Sequence, residues 1–333
     1  MAEALRERGA AVTFAGSPDR VEARLVPEQG YAFDAFAVAG FPRRPGPSQL
    51  RAFVLAAAAP IACLRILDRR KPDVVLGGGG YVAGPMVLAA KLRGIPAALT
   101  EADAHLGLAN RLAAPFAARV FLALPVHGRN GSKYVPVGRP VPARSRAVPR
   151  AEARERLGLP ADGPVVLVFG GSLGARLLNE LALDAWAESG PAVLHLCGER
   201  DYASLRARAT RPDYVLRPFI DEIGLAYGAA DVAVARAGGS VWELAAAGLP
   251  AVLVPGEFAT GGHQRKNADW FERAGGAVVV PESDVARVPD VVASLLADPA
   301  RLAAMRAAMH AAATPDAAER IADELVRLAA ARG

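Results

Sequence analysis

Short apolar runs rich in Val, Leu and Ala alternate with longer stretches of helical period along almost the whole chain, which is the pattern of parallel sheets covered by helices on both faces. In the first half this predicts strands near residues 11–15, 74–76, 97–100, 120–124 and 134–136. In the second half it predicts them near 165–169, 193–197, 214–217, 232–235, 251–254 and 277–280. Two Rossmann-like units follow, joined at 135–149, where repeated prolines deny both helix and central strand. We expect a first domain over 1–140, a second over 141–314, and a last helix over 315–333 that packs back on the first. Residues 1–8 form a charged helix leading through Gly9 into a strand, with no signal-peptide pattern. Chains usually run this way in the middle of an α/β domain, so a preceding segment is expected.

The apolar stretch 53–67 is shorter than the roughly 20 residues a bilayer span needs, and Pro60 interrupts it. A buried helix is the expectation. The alternative is an apolar surface, flanked by Arg43, Arg44, Arg51, Arg65, Arg69 and Arg70, that dips into an anionic headgroup layer. With 52% hydrophobic and 22% charged residues, the 333-residue chain is no disordered or fibrous protein. Its 2 cysteines, Cys63 and Cys197, offer neither a disulfide scaffold nor a thiolate metal site, as suits a reducing cytoplasm. The net charge of +5 is carried almost wholly by Arg, and no basic stripe is interleaved with aromatics, so nucleic acid is not an expected partner.

Three glycine turns follow predicted strands. Gly170-Gly-Ser-Leu-Gly174 opens a helix near Ala175, where free amides and the helix dipole favour a phosphate. Gly171, Ser172 and Gly174 are the candidate contacts; Phe169 breaks the nicotinamide fingerprint and no Walker lysine follows. Gly77 to Gly80, with Tyr81 beyond, suit a second phosphate-bearing ligand on the other domain. Gly238-Gly239-Ser240 precedes Glu243, with Ser240 the expected helix cap. Glu243 can accept from two vicinal ribose hydroxyls or merely complement a helix dipole. Beyond a further strand, His263, Gln264 and Asn267 suit sugar hydroxyls, or a solvated helix start. Glu101, Asp103, His105 and Asn110 lie past a strand end, where open α/β sheets put their sites, though a plain surface loop is as good a reading.

Taken together these segments resemble the MurG family, N-acetylglucosaminyltransferases of peptidoglycan synthesis. The resemblance rests on Lys71–Pro85, Gly170–Ala175, Phe219-Ile-Asp221 and Glu243-Leu-Ala-Ala-Ala-Gly-Leu-Pro250, in the family's order and spacing. It implies a GT-B fold, two Rossmann-like α/β domains facing a cleft. It also implies inverting transfer of N-acetylglucosamine from UDP-N-acetylglucosamine to undecaprenyl-diphosphate-linked muramoyl-pentapeptide, lipid I to lipid II, at the cytoplasmic face of the membrane. Cell-wall synthesis, and with it cell shape and division, is the implied setting. No cofactor or metal is implied beyond the substrate.

Carried over, Gly171, Ser172, Gly174, Gly239 and Ser240 would face the donor diphosphate, Ile220 would give backbone bonds to uracil, Glu243 would hold the ribose and Gln264 the sugar. Gly78, Gly79, Gly80, Tyr81, Glu101 and Asn110 would face the acceptor. The chain departs from the family in beginning after its first strand and Gly-Gly-Thr-Gly-Gly-His turn, whose His is a suspected base, with open sheet edges as the expected consequence. Asp103 or His105 is then the substitute. The family's Asn-Pro-Val-Arg reads Arg139-Pro-Val-Pro142, so Arg139 or Arg144 would have to replace its arginine. Rival readings are a GT-B enzyme of other specificity, a glycolipid synthase or UDP-N-acetylglucosamine epimerase, and a non-catalytic UDP-sugar binder.

Overall fold

The computed structural model describes residues 1–38, 47–103, 105–171, 175–256 and 262–332, with backbone alone for 47–57. The chain divides into two units, Met1–Pro140 with Asp316–Gly333, and Val141–Pro315.

The first unit runs α1 (Ala2–Glu7), β1 (Thr13–Gly16), α2 (Glu22–Glu28), β2 (Ala32–Ala35), α3 (Pro47–Arg70), β3 (Val75–Gly77), α4 (Gly80–Leu92), β4 (Ala97–Glu101), α5 (Leu108–Ala113), β5 (Arg119–Leu122) and β6 (Tyr134–Pro136). β3 to β6 form a parallel sheet in sequence order, while β1 and β2 pair in a separate parallel ladder, Thr13 opposite Ala32. β2 was not expected from the pattern, because Asp34 interrupts its apolar run. That carboxylate is buried, and Arg69 Nη2 and Arg70 Nε, at the end of α3, donate to it at 2.6 and 2.7 Å. The hydrogen bond from Arg70 is the main cause holding the Asp34 carboxyl below its ordinary range.

Ala59, Cys63, Ile66 and Leu67 follow helical spacing and turn one face of α3 into the core beside Ala83, Val87 and Ala90 of α4. Over its described side chains, the stretch 53–67 is therefore mainly a core helix, although Ile61 is exposed. Among the described residues no helix is long and apolar enough to cross a membrane.

The second unit runs α6 (Arg150–Leu157), β7 (Val165–Phe169), α7 (Arg176–Trp186), β8 (Ala192–Leu196), α8 (Glu199–Leu205), β9 (Tyr214–Arg217), α9 (Ile223–Ala229), β10 (Val232–Ala235), α10 (Ser240–Ala246), β11 (Ala251–Leu253), α11 (His263–Arg273), β12 (Ala277–Val279), α12 (Val288–Leu296) and α13 (Pro299–Ala312). Its six parallel strands lie in the order β12-β11-β10-β7-β8-β9. Every residue of β7 is buried, as the covering of both faces of a parallel sheet requires. The order reverses between β7 and β10, and doubly wound sheets open a ligand crevice at the carboxyl ends of the strands on either side of such a reversal.

α14 (Ala317–Ala330) belongs to the first unit. Ile321 and Leu325 bury against Ala98, Phe121 and Val137, while Arg119 Nε and Arg8 Nε donate to Glu324 Oε1 at 2.8 Å and Asp323 Oδ1 at 2.7 Å. Burying such a Leu or Ile contributes about 1.5–3 kcal/mol, which fixes the helix more firmly than the exposed Arg8–Asp323 pair.

Candidate functional site

The carboxyl ends of the central strands in the second unit enclose a cavity of about 210 Å3. Phe169 and Gly171 line it after β7, Leu196 at the end of β8, Phe219 and Ile220 after β9, and Ser240 and Glu243 from α10. Its volume is below the roughly 300–1,000 Å3 of a whole ligand pocket, so it is sized for part of a larger ligand. A more voluminous but open hollow of about 580 Å3 runs along the outer edge strand β9, lined by Tyr202, Arg206, Arg217 and Phe219. The smaller one is the better candidate because it sits at the reversal of strand order.

Gly171 has φ +93°, which an L side chain rarely adopts, and it turns the chain from β7 toward α7. Ser172 and Gly174 lie outside the described residues. Gly239 and Ser240 follow β10, but Ser240 is the first helical residue and Gly239 holds the cap position without a side-chain bond, correcting the expected cap. Glu243 is well gripped. Tyr227 OH donates to its Oε2 at 2.8 Å and Ser145 Oγ donates to the same oxygen at 3.1 Å. Arg144 also lines the cavity, exposed and without an ion pair among the described residues.

Gln264 does not line this cavity. Its Oε1 accepts from the Gly256 amide at 2.8 Å, holding the chain where it leaves β11, while the buried Asn267 donates from Nδ2 to Ala237 O at 3.2 Å behind the turn after β10. The polar positions entering α11 therefore brace two strand ends.

A buried network lies one strand outward. His195 is fully buried; Tyr214 OH donates to Nδ1 at 2.8 Å and Nε2 donates to Asn179 Oδ1 at 3.0 Å, the tautomer that lets Asn179 Nδ2 donate to Cys197 O and Asp201 Oδ2. Asn179 thus ties α7 to the end of β8. Burial pushes the imidazole pKa down to about 3. The unfolded chain, with His near pH 6.5, binds the extra proton between these values, so stability is full above about pH 6.5 and falls as pH drops, by up to ~1.4 kcal/mol per unit. The unfolding midpoint should fall from pH 7 to 5, and His195→Gln should flatten that slope; identical slopes for the two proteins would refute the assignment.

In the first unit, the glycine turn after β3 and the loop after β4 come together. Gly79 (φ +91°) and Gly80 (φ +67°) carry the chain into α4, and a Cβ on Gly79 would stand 3.6 Å from Thr100 O and 3.9 Å from Asn110 Nδ2. Gly78 has open space around its Cα, and Tyr81 OH accepts from Arg20 Nε at 3.1 Å. Glu101 is buried with both oxygens engaged. Oε1 accepts from the Asp103 amide at 3.2 Å, while Oε2 accepts from Gly107 N and Asn110 Nδ2, both at 2.9 Å. It therefore pins the loop rather than presenting a free carboxylate. Asp103 is half-buried with no side-chain hydrogen bond among the described residues, whereas His105 Nδ1 and Asn110 Oδ1 are buried without a partner there.

One feature escaped the sequence reading. Leu108, Leu112 and Phe116, spaced four apart, are 66%, 66% and 40% exposed, beside the exposed Arg111. Four-residue spacing of large apolar side chains in an alanine-rich stretch was the available signal.

Comparison with known proteins bears on both units. Residues 1–122 match the glycosyltransferase family 28 N-terminal domain and residues 165–321 the glycosyltransferase family 28 C-terminal domain. A Nocardioides protein, UDP-N-acetylglucosamine–N-acetylmuramyl-(pentapeptide) pyrophosphoryl-undecaprenol N-acetylglucosamine transferase, is 42% identical over 98% of this chain and 93% of its own length. The Mycobacterium bovis protein of the same name is 42% identical over 97% of this chain and 82% of its own. The crystal structure of Acinetobacter baumannii MurG superposes with a TM-score of 0.78 at 30% identity, covering 98% of this chain and 94% of that one.

Proposed function

Since the chain belongs to the MurG family of GT-B glycosyltransferases, built from the two domains of glycosyltransferase family 28, we propose that it transfers N-acetylglucosamine from UDP-N-acetylglucosamine to undecaprenyl-diphosphate-linked muramoyl-pentapeptide. The observation that carries this reading is the cavity at the strand-order reversal, where Gly171, Ile220, Ser240 and Glu243 converge. Ile220 offers backbone groups to uracil and Glu243 accepts from the ribose. The Gly170–Gly171 turn and the start of α10 present amide hydrogens to the diphosphate, and Ser172 and Gly174, next in sequence, remain candidates for the same role. Arg144, which lines the cavity and has no ion pair among the described residues, adds a cation in place of the arginine that Pro142 displaces. Gln264 is the candidate for the sugar hydroxyls, by its Nε2, since Oε1 is committed.

In the reaction the acceptor hydroxyl attacks the anomeric carbon from the face opposite the phosphate, the carbon–oxygen bond to UDP breaks, and the configuration inverts. A base takes the hydroxyl proton. We favour Asp103 over His105, because its carboxylate carries no hydrogen bond among the described residues while His105 Nδ1 is buried. The acceptor diphosphate is assigned to the Gly78–Tyr81 turn. Leu108, Leu112 and Phe116 beside Arg111 suit an anionic membrane surface, which fits peripheral attachment at the cytoplasmic face. Metal independence belongs to the same proposal, with amides and arginine taking the role of a cation.

The test is transfer of labelled N-acetylglucosamine to a lipid-linked muramoyl-pentapeptide in anionic vesicles, with and without EDTA. Transfer that survives EDTA and is lost in Glu243→Ala is expected. Transfer to diacylglycerol instead, epimerisation without acceptor, or UDP binding without turnover would each replace the reading with a rival.

A further inference from the structure

We infer that Tyr227 and Ser145 are positioning residues that fix the Glu243 carboxylate so that the site selects a ribonucleotide over its 2′-deoxy counterpart. This deepens the reading of Glu243 as the ribose acceptor and rests on it.

Tyr227 and Ser145 are 3% and 1% exposed, and both donate to one oxygen of Glu243, Oε2, at 2.8 and 3.1 Å. A carboxylate oxygen has about two acceptor positions, so these two donors saturate Oε2. Oε1 carries no hydrogen bond among the described residues, while Glu243 lines the cavity. Burial raises the Tyr227 phenol far above its ordinary value, and the nearby Glu243 charge acts in the same direction, so it stays a proton donor throughout the working range. The Tyr227 ring in turn sits 6.2 Å from that of Phe169, at the end of β7.

One helix delivers both donors. Tyr227 belongs to α9, and the chain carrying Ser145 lies on the backbone of the same helix. A Cβ on Gly224 would stand 2.0 Å from Arg146 O, one on Gly228 would stand 1.9 Å from Val148 O, and Val148 N donates to Gly224 O at 3.1 Å. Only glycine at these two positions, one turn apart, lets residues 144–148 lie so close. Ser145 ends a short 3-10 turn, Ala143–Ser145, that aims its hydroxyl at Glu243.

The consequence is selective. With one oxygen saturated and the carboxylate unable to rotate, the free oxygen has fixed acceptor positions that vicinal hydroxyls fill and a 2′-deoxyribose does not. A site built to bond a hydroxyl penalises the ligand lacking it, because the buried acceptor is left unpaired. Released from its two donors, the carboxylate turns and finds water, and the penalty shrinks.

The experiment is calorimetry of the full chain with UDP and with 2′-deoxy-UDP, on the wild type, Tyr227→Phe, Ser145→Ala and Glu243→Ala. Tyr227→Phe keeps the ring against Phe169. We expect the wild type to prefer UDP, and each positioning variant to weaken UDP by roughly tenfold while 2′-deoxy-UDP changes little, so that the preference falls. Equal weakening of both nucleotides, or no change in the preference, overturns the inference. If Glu243→Ala alone abolishes the preference, the ribose reading stands and the positioning role fails. A wild type that binds neither nucleotide overturns both.

Discussion

Gly170→Ala is expected to weaken UDP binding by about 100-fold or more in calorimetry, the amount lost with two charge-assisted hydrogen bonds to a phosphate. The turn leaves no room for the added carbon. A Cβ on Gly170 would fall 2.3 Å from the Ala175 Cβ and 2.5 Å from its amide nitrogen. The second of these is backbone, so no side-chain rotation relieves it, and either the turn opens or the start of α7 withdraws. Either movement separates the Gly171 amide from the helix start and strains the Asn179 link from α7 to Cys197 O. Gly171→Ala is a milder comparison, because space around Gly171 is open and only its φ of +93° is costly. Binding by Gly170→Ala at wild-type strength would show that this turn does not hold the diphosphate.

The parts legible in the sequence are those whose partners are close along the chain. Val165–Phe169 announces a central strand because all five side chains are apolar, and the structure buries every one; Gly170–Gly171 announces a turn between that strand and the start of α7, which is where it lies. The unread parts depend on distant partners. β2 hides because Asp34 breaks its apolar run, and the arginines that compensate, Arg69 and Arg70, arrive from the far end of α3. Glu243 is conspicuous in sequence, yet one of the donors that fix it, Ser145, lies 98 residues earlier on an unremarkable proline-flanked segment. Glu101 shows the converse. A carboxylate past a strand end invites a functional reading, but its oxygens are spent on two amides and Asn110 within nine residues. Type and position alone do not distinguish a carboxylate that meets a ligand from one that closes a loop.

Arg154→Ala is expected to cost roughly 3–5 kcal/mol of stability, a large share of the ~5–15 kcal/mol of an ordinary domain. Arg154 is 1% exposed, and its guanidinium makes five hydrogen bonds. Nε donates to Ala229 O, Nη1 to the carbonyls of Pro160, Ala161 and Gly163, and Nη2 to Asp231 Oδ2. Burial, aided by Arg150, lowers its pKa, but a guanidinium stays charged at any working pH. Removing it strips the donor from the carbonyls of Ala229, Pro160 and Ala161, while Gly163 O keeps Arg150 Nη2 and Asp231, which also accepts from Val165 N at 2.9 Å, keeps its ion pair with Arg150 alone. Arg154→Lys should recover only part of the loss, since a point ammonium cannot serve a planar fork. The network grips the amino ends of β7 and β10, opposite the strand ends that line the cavity, so the damage should appear in stability and not in affinity. Denaturant unfolding should show a lowered midpoint for Arg154→Ala, while the fraction still folded binds UDP as the wild type does. An unchanged midpoint would mean that water replaces the guanidinium at little cost.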